Sequence, residues 1–457
     1  MQREGEDKRD YRSSLDYLFG LQRFGIKLGL SNITALLKHL GNPHQGLKAV
    51  HIAGSNGKGS TAAFLTSILR RAGCRVGLYT SPHLIDFSER IQVDGVPIRE
   101  ERVARLTDRI REIVREMERS GELWADASDF PPGKDIDPQK ATITFFEFTT
   151  AMAFLHFQEA KVDIVILETG MGGRLDATNV IDPILSLITS ISLEHQQYLG
   201  KNLLQIAGEK AGIIKPGRPL LITARQPRVV ELFGRRCREQ GAPFYAFGKE
   251  FWGKQIGPRL MDFQGIRYRW NALRLGLAGS HQMVNASLAL AAGEILMEEG
   301  FPINEDRVRE GIAGAKWPGR LELIGDSPRV LLDGAHNPGA TRALKKALEE
   351  EFPRKRLILV LGIMADKEIP RMMSDLIPLA DLLFLSRPQM DRAASLENLR
   401  KHASVWKKPT WEVPDVGTAV GQAMAEAGMD DLVVVTGSLF TVGEARAYLI
   451  RMGLIKE

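Results

Sequence analysis

The feature that most limits the fold of this chain is the alternation of short apolar runs with segments of helical periodicity. An apolar run at residues 49–53 precedes a helical pattern at 60–71, and a second apolar run follows at 75–79. This order predicts βαβ units, in which helices cover both faces of a parallel sheet. The pattern recurs at three more apolar runs, at residues 162–167, 184–191 and 219–224. We therefore predict an α/β fold built first on a parallel sheet.

A second series of strand-like runs fills the C-terminal third, at residues 330–333, 357–361, 382–385 and 432–435. Between the two series, Pro318 and Gly319 interrupt the pattern, as in an interdomain linker. A chain of 457 residues also exceeds what one core usually supports. We predict one domain at residues 1–317 and a smaller, Rossmann-like domain at 318–457. Residues 118–139 carry adjacent prolines and little periodicity, which predicts a surface loop.

Composition narrows the classes of partner. The chain has 61 Lys and Arg against 56 Asp and Glu, a net charge of +5 that suits a small anionic substrate better than a nucleic acid. Only Cys74 and Cys237 occur, so a disulfide framework is excluded and a reducing compartment is indicated. No secretory signal and no apolar run of membrane-spanning length is visible. We expect a cytoplasmic monomer with no nucleic-acid or membrane partner.

A glycine-rich loop, Gly-Ser-Asn-Gly-Lys-Gly-Ser at residues 54–60, lies between the first apolar run and the first helical pattern. In this position its backbone N–H groups, the helix N-terminus and Lys58 would cradle phosphate groups. The generic phosphate-loop pattern is not met strictly, because Ile52 stands at its first glycine and Gly59 separates Lys58 from Ser60. A plain glycine-rich turn is the alternative. We predict ATP as the ligand, contacted by Asn56, Gly57, Lys58, Gly59 and Ser60.

Two further residues are predicted at the carboxyl edge of the parallel sheet, where open α/β folds bind ligands. Glu168 ends the run 162–167, and His195 follows the run 184–191. A carboxylate beside a phosphate loop suits Mg²⁺, a hard cation that takes oxygen ligands. The alternatives are a strand-end acid that faces solvent and a histidine with no metal role.

Four more motifs follow the phosphate loop: residues 80–84 with 89–91, residues 168–179, residues 209–217 and residues 333–338. With the phosphate loop they resemble, in order, the folylpolyglutamate synthase branch of the Mur ligase superfamily, over nearly the whole chain. The resemblance implies a parallel-sheet ATPase domain that contains a phosphate loop, followed by a smaller Rossmann-like ligase domain. It also implies that ATP drives the addition of L-glutamate to folates, and to dihydropteroate, through an acyl phosphate.

The same resemblance assigns roles to individual positions. It implies magnesium ligands at Ser60, Ser81, Glu168, His195 and Lys210, with Lys210 as a carbamate. It implies nucleotide contacts at Asn285, Arg320 and Asp333, and it makes Lys58, Glu168, His195, Lys210 and His336 the catalytic set.

These roles have alternatives in ordinary chemistry. Lys210 could be an exposed lysine of the common kind, and Asp333 and His336 could serve turn formation. Glu194 departs from the branch, which has aspartate before the histidine.

For a pterin substrate, the resemblance implies contacts with Gly25, Ile26, Lys27, Thr144, Phe145, Phe146, Glu147, Leu175, Asp176 and Ala177. The carboxylate of Asp176 suits the amino group and ring nitrogen of a 2-amino-4-oxo pterin. A capping or turn role is its alternative. For Phe145 and Phe146 the alternative is core packing.

Two other functions compete with this hypothesis. A muramyl-peptide ligase of the same superfamily would use a UDP-linked substrate, but the full motif at residues 170–177 and the lack of a separate UDP-binding domain argue against it. A nucleotide-dependent switch would leave Asp333 and His336 unexplained. Phosphate release that requires both an amine and a carboxylate acceptor separates a ligase from a switch.

Overall fold

The structure is a computed structural model that describes residues 2–25, 27, 29–123 and 142–455. It contains two compact units. The first takes in the chain up to Trp252 together with Phe263–Trp270 and Asn285–Ile312, and the second comprises Gly253–Asp262, Asn271–Val284 and the chain from Ala313 onward. The predicted division at residue 317 stays a prediction. No helix in the described ranges is long and apolar enough to cross a membrane.

The first unit is built on an eight-stranded sheet in the order β4-β3-β2-β5-β1-β6-β7-β8. Its strands are β1 (Ala49–Ala53), β2 (Val76–Tyr79), β3 (Ile91–Val93), β4 (Val96–Pro97), β5 (Ile164–Glu168), β6 (Leu185–Ile188), β7 (Leu220–Ile222) and β8 (Phe244–Ala246). All neighbours from β2 to β8 run parallel, whereas β3 and β4 form an antiparallel edge. Every residue of β1 is buried, as expected for a central strand covered on both faces.

Helices surround this sheet because their apolar faces need a surface to cover. They are α1 (Gln2–Gly20), α2 (Ser31–His39), α3 (Lys58–Arg71), α4 (Glu100–Ser120), α5 (Phe145–Ala160), α6 (Gln196–Leu199), α7 (Leu203–Lys210), α8 (Pro227–Glu239), α9 (His281–Glu298) and α10 (Glu305–Gly314). Helix α4 ends where Gly121 adopts a left-handed conformation. The loop predicted from residue 118 therefore begins after Ser120, and its residues 124–139 lie outside the described ranges.

The second unit contains a six-stranded sheet in the order β12-β13-β17-β14-β15-β16. Its strands are β12 (Glu322–Ile324), β13 (Arg329–Leu332), β14 (Leu357–Leu361), β15 (Leu382–Leu385), β16 (Thr410–Glu412) and β17 (Leu432–Thr436). Only β12 pairs antiparallel, so the sheet has the predicted Rossmann-like character. Its helices are α11 (Pro338–Glu350), α12 (Ile369–Leu376), α13 (Leu396–Ala403), α14 (Val416–Glu426) and α15 (Leu439–Arg451). The predicted fold class is confirmed.

A separate three-stranded sheet was not predicted. It consists of β9 (Trp252–Gly257), β10 (Leu260–Gln264) and β11 (Arg269–Arg274), in the order β11-β10-β9. Its strands are mostly half-exposed or exposed, so they lack the continuous apolar runs that identify buried parallel strands.

The contact between α10 and α3 yields a test of packing. A Cβ at Gly311 would lie 2.5 Å from the Cα of Ile68, and a backbone atom cannot move aside cheaply. We predict that Gly311→Ala destabilises the protein by about 1–3 kcal/mol through overpacking. Gly293→Ala, in α9, is the matched control because a Cβ there meets open space, so the helix gains up to about 1 kcal/mol. Thermal unfolding midpoints that fall equally for both variants would contradict this prediction.

Candidate active site

The candidate site forms where three neighbouring parallel strands end. In the sheet register Ile52 of β1 pairs with Glu168 of β5, and Ala53 of β1 pairs with Ile188 of β6. The phosphate loop leaves the end of β1, Glu168 is the last residue of β5, and the segment that contains His195 follows β6. Parallel pairing therefore gathers these three predicted parts at one edge of the sheet.

The conformation of the phosphate loop requires glycine at two positions. Gly54 and Gly57 have φ angles of 146° and 95°, in the region that disfavours other residues. A Cβ at Gly54 would collide with Thr189, and one at Gly57 would collide with the side-chain amide of Asn285. Helix α3 begins immediately after Gly57 with no side-chain cap. A helix that starts in this way presents its first N–H groups and its partial positive charge to an anion.

The segment after β6 holds the first half of the loop in place. The N–H of Ser55 donates to the carbonyl of Ser190 (2.8 Å), and the N–H of Asn56 donates to the Ser190 hydroxyl (3.2 Å). The N–H of Ser192 donates to the Ser55 hydroxyl at 3.0 Å. Sequence reasoning missed Ser190 and Ser192. The sequence feature that could have indicated them is their position directly after β6, the strand that pairs with β1.

Two lysines converge on one carbonyl of the loop. The Nζ atoms of Lys58 and Lys210 lie 2.9 Å and 3.0 Å from the Gly54 oxygen. Lys58 also lies 3.8 Å from a carboxylate oxygen of Glu168, and Lys210 lies 2.7 Å from one of Glu194. Each cation therefore has a carboxylate partner.

Burial sets the electrostatics of this cluster. Lys210 is 1 % exposed, and burial lowers its pKa against the opposing effect of Glu194. Burial raises the pKa of Glu194, but Lys210 and Lys58 outweigh it and bring the value to about 2. Glu194 is thus ionised at neutral pH. Lys210 is not the exposed lysine that its residue type suggests.

The predicted magnesium ligands surround the same edge. The N–H of Ser81 lies 3.4 Å from Glu168 Oε2, and the buried Ser60 stands in the first turn of α3. His195 is exposed and is the N-cap residue before α6, with a left-handed φ of 43°. Within the described ranges, no group of three or more His, Cys, Asp or Glu residues could hold a metal ion. A cation here would need serine, phosphate or carbamate oxygens as well.

Residues 144–147 cap the N-terminus of α5. The N–H of Thr144 donates to Glu147 Oε2 at 2.8 Å, and the N–H of Glu147 donates to the Thr144 hydroxyl at 3.3 Å, which forms a capping box. Phe146 covers Gly170, where a Cβ would strike its ring, and Phe145 stacks on Phe19 with ring centroids 5.9 Å apart.

The other residues of the predicted pterin pocket vary in exposure. Lys27 donates to the Thr142 carbonyl at 2.6 Å, Gly25 is exposed, Leu175 is half-buried and Ala177 is buried. Ile26 lies outside the described residues. The pterin contacts stay predictions.

Asp176 has a clear structural role. Its carboxylate accepts the N–H of Met171 (2.8 Å), the N–H of Thr178 (3.0 Å) and the hydroxyl of Thr178 (2.5 Å), and it caps the short 3-10 helix Ala177–Val180. A carboxylate has about four acceptor positions, so these donors occupy most of them. The capping alternative is therefore realised, and a pterin contact would use what remains.

In the second unit, the three predicted residues gather around Gly334. Arg320 donates to the Gly334 carbonyl (3.2 Å), and Nδ1 of His336 donates to the same oxygen (2.9 Å). Asp333 is buried and accepts the N–H groups of Leu321 and Ala335, each at 3.0 Å. Burial raises the pKa of Asp333, and Arg320 opposes that shift.

The fold and the site together define a class. A parallel-sheet domain with a phosphate loop, followed by a Rossmann-like domain with its own cluster of polar residues, is the organisation of a Mur ligase. Residues 107–293 match the Mur ligase middle domain, and residues 319–439 match the Mur ligase glutamate ligase domain.

Individual relatives narrow the assignment. The Bacillus subtilis dihydrofolate synthase/folylpolyglutamate synthase is 34% identical over 445 residues, which cover 96% of this chain and 99% of the relative. The Mycobacterium tuberculosis folylpolyglutamate synthase complexed with ADP and AMPPCP is 32% identical, with a TM-score of 0.85 and coverage of 96% and 98%. E. coli FolC in complex with DHPP and ADP is 30% identical, with a TM-score of 0.82 and the same coverage. The chain belongs to the dihydrofolate synthase/folylpolyglutamate synthase family.

The Lys210–Glu194 pair yields a stability prediction. Without magnesium and bicarbonate, Lys210 is an ammonium paired with Glu194. Under these conditions Lys210→Met leaves Glu194 largely buried without its cation, which is expected to cost about 3–5 kcal/mol. The double variant Lys210→Met/Glu194→Gln removes both charges and is expected to recover part of that loss. Urea unfolding of the wild type, both single variants and the double variant measures the coupling. A double variant as unstable as the sum of the single variants would show that the pair is not coupled.

Proposed function

We propose that the protein is an ATP-dependent ligase that adds L-glutamate to folates, tetrahydrofolate among them, and to dihydropteroate. The observation that carries this proposal is the cluster of Lys58, Glu168, Glu194 and Lys210 around the Gly54 carbonyl, in a chain of this family. A relative of the same fold binds ADP and DHPP together, which supports a site for a nucleotide and a second substrate.

The first step is phosphoryl transfer. An oxygen of the substrate carboxylate attacks the γ-phosphorus of ATP, the bond to the β-phosphate oxygen breaks, and ADP leaves behind an acyl phosphate. Lys58 and the first N–H groups of α3 hold and neutralise the phosphates, with Asn56, Gly57, Gly59 and Ser60 shaping the loop. Asn285, which lies against Gly57, supports the same nucleotide.

The oxygen atoms at this edge of the sheet suit magnesium as ligands. Glu168 offers a carboxylate next to Lys58 of the phosphate loop, and Ser81 lies beside Glu168. Ser60, Ser81, Glu168, His195 and Lys210 would hold the magnesium ion. Bound there, the ion would neutralise phosphate charge. An ammonium cannot be a metal ligand, so Lys210 takes part only as a carbamate. Its buried amine, with a lowered pKa, is suited to react with carbon dioxide.

The second step forms the amide. The amine of glutamate attacks the acyl carbon, the carbon–oxygen bond to phosphate breaks, and the amine proton is lost. His336, whose Nδ1–H bond to Gly334 fixes the ring, orients the amine or the phosphate, and Arg320 and Asp333 contact the nucleotide. The residues proposed for the pterin are Gly25, Ile26, Lys27, Thr144, Phe145, Phe146, Glu147, Leu175, Asp176 and Ala177. We propose further that the enzyme is a cytoplasmic monomer with a domain boundary near residue 317.

The substrate assignment predicts phosphate release that depends on both an acceptor and L-glutamate. Purified protein receives MgATP and L-glutamate with dihydropteroate in one reaction and tetrahydrofolate in another, and mass spectrometry identifies the products. Glutamylation of both acceptors is the expected result. Glutamylation of tetrahydrofolate alone would indicate an enzyme that only extends the polyglutamate chain of folates. If neither is glutamylated although ATP binds, the substrate assignment is wrong.

The role of Lys210 predicts a near-complete loss of activity in Lys210→Ala that added bicarbonate does not reverse. Lys215→Met is the matched control, since Lys215 is also partly buried and donates to the Asn179 carbonyl but lies outside the proposed metal set. ¹³C NMR of protein equilibrated with ¹³C-bicarbonate provides a second measurement. A carbamate signal is expected in the control and not in Lys210→Ala, and normal turnover by Lys210→Ala would refute the role.

A further inference from the structure

Two buried hydrogen bonds in series connect β1 to Asp176. His51, in the middle of β1, is fully buried, and its Nε2 lies 2.8 Å from the hydroxyl of Thr178. That hydroxyl lies 2.5 Å from Asp176 Oδ1, and Thr178 is fully buried as well. The phosphate loop begins three residues after His51, and the proposed pterin contacts include Asp176. These hydrogen bonds therefore connect β1, which leads into the phosphate loop, to Asp176 in the proposed pterin site.

The direction of the hydrogen bonds follows from the donors available. Asp176 accepts backbone N–H groups on both oxygens, from Met171 and from Thr178, as a carboxylate does. The Thr178 hydroxyl has one proton, which it donates to Asp176, so it accepts the proton of His51 Nε2. His51 Nδ1 is buried and has no hydrogen-bond partner among the described residues. The lack of an acceptor near Nδ1 in the described part of the chain agrees with the tautomer that carries its proton on Nε2.

The charge state of His51 agrees with this arrangement. Burial, followed by the nearby Lys215, lowers the pKa of His51 to about 3. The ring is neutral at physiological pH and carries a single proton, which the hydrogen-bond geometry assigns to Nε2.

Asp176 in turn shapes the loop at residues 170–176. Its Oδ2 holds the N–H of Met171, and Phe146 packs over Gly170 at the start of the loop. Among the described residues, Thr178 is the side chain that donates a hydrogen bond to Asp176. Without it, Oδ1 loses its side-chain donor and keeps backbone N–H groups, and the carboxylate can rotate away from its present position.

We propose that His51 is a positioning residue that acts through Thr178 to fix the Asp176 carboxylate for the fused-ring head of the folate-type substrate. His51 itself touches no substrate. This inference rests on the proposed function, because it assigns the pterin to Asp176. It predicts an effect on the affinity for the pterin and no effect on the nucleotide.

Thr178→Val and Thr178→Ser form the central comparison, because valine keeps the shape without the hydroxyl and serine keeps the hydroxyl. A lost hydrogen bond to a charged group predicts a rise of about 10-fold or more in the KM for dihydropteroate and tetrahydrofolate in Thr178→Val. Thr178→Ser is expected to stay within about threefold of the wild type. The KM for ATP and the kcat are expected to be unchanged in both.

Thr107→Val is the matched control for the loss of a buried threonine hydroxyl. Thr107 is 1 % exposed, and its hydroxyl has no hydrogen-bond partner among the described residues. Equal effects of Thr178→Val and Thr107→Val on the pterin KM would overturn the proposal. An equal rise in the KM values for pterin and ATP in Thr178→Val would also overturn it.

NMR of the wild type labelled with ¹⁵N-histidine tests the geometry without any activity assay. A neutral His51 ring protonated at Nε2 is expected, and Thr178→Val is expected to shift that resonance. A proton at Nδ1 would overturn the proposed series of hydrogen bonds. If the wild type glutamylates neither pterin, the proposed function is wrong. The NMR result still shows independently whether His51 donates to Thr178.

Discussion

The parallel hydrogen bonding of β1 between β5 and β6 is the constraint on which the rest of the site depends. It fixes the spacing of three strand ends, and each end carries a different component: the phosphate loop, the acid Glu168 and the segment that leads to Glu194. Because these components belong to segments far apart in sequence, no local interaction could bring them together. The sheet register does so, and the fully buried strand leaves little room for it to shift.

The site concentrates charge in a largely buried region, and each cation there is paired with a carboxylate. Lys210 has Glu194, and Lys58 has Glu168, while both lysines share the Gly54 carbonyl. A buried charge without a partner is costly, so each member of the cluster constrains the others. A carboxylate oxygen of Glu194 lies 2.7 Å from Nζ of Lys210.

The sequence predicted the buried strands well, because continuous apolar runs are their direct consequence; β14 and β15 match the predicted runs at both ends. The strands that it missed are short or exposed, such as β4, β16 and the three-stranded sheet, and their residues resemble loops. At the site, the motifs supplied candidate residues but not the partners that these residues contact. Nothing local in the sequence indicates that Ser190 holds the phosphate loop or that His51 meets Thr178, since those contacts depend on strand order.

The shared Gly54 carbonyl has a consequence for what the loop selects. Before any nucleotide binds, Lys58 of the loop and the neighbouring Lys210 already have counter-ions from the protein itself, in the carboxylates of Glu168 and Glu194. An incoming anion has to compete with these internal counter-ions. A ligand with several phosphate groups and its own metal ion can replace them at many points at once, whereas a single inorganic phosphate gains less from the exchange. We therefore expect the loop to favour polyphosphates over inorganic phosphate.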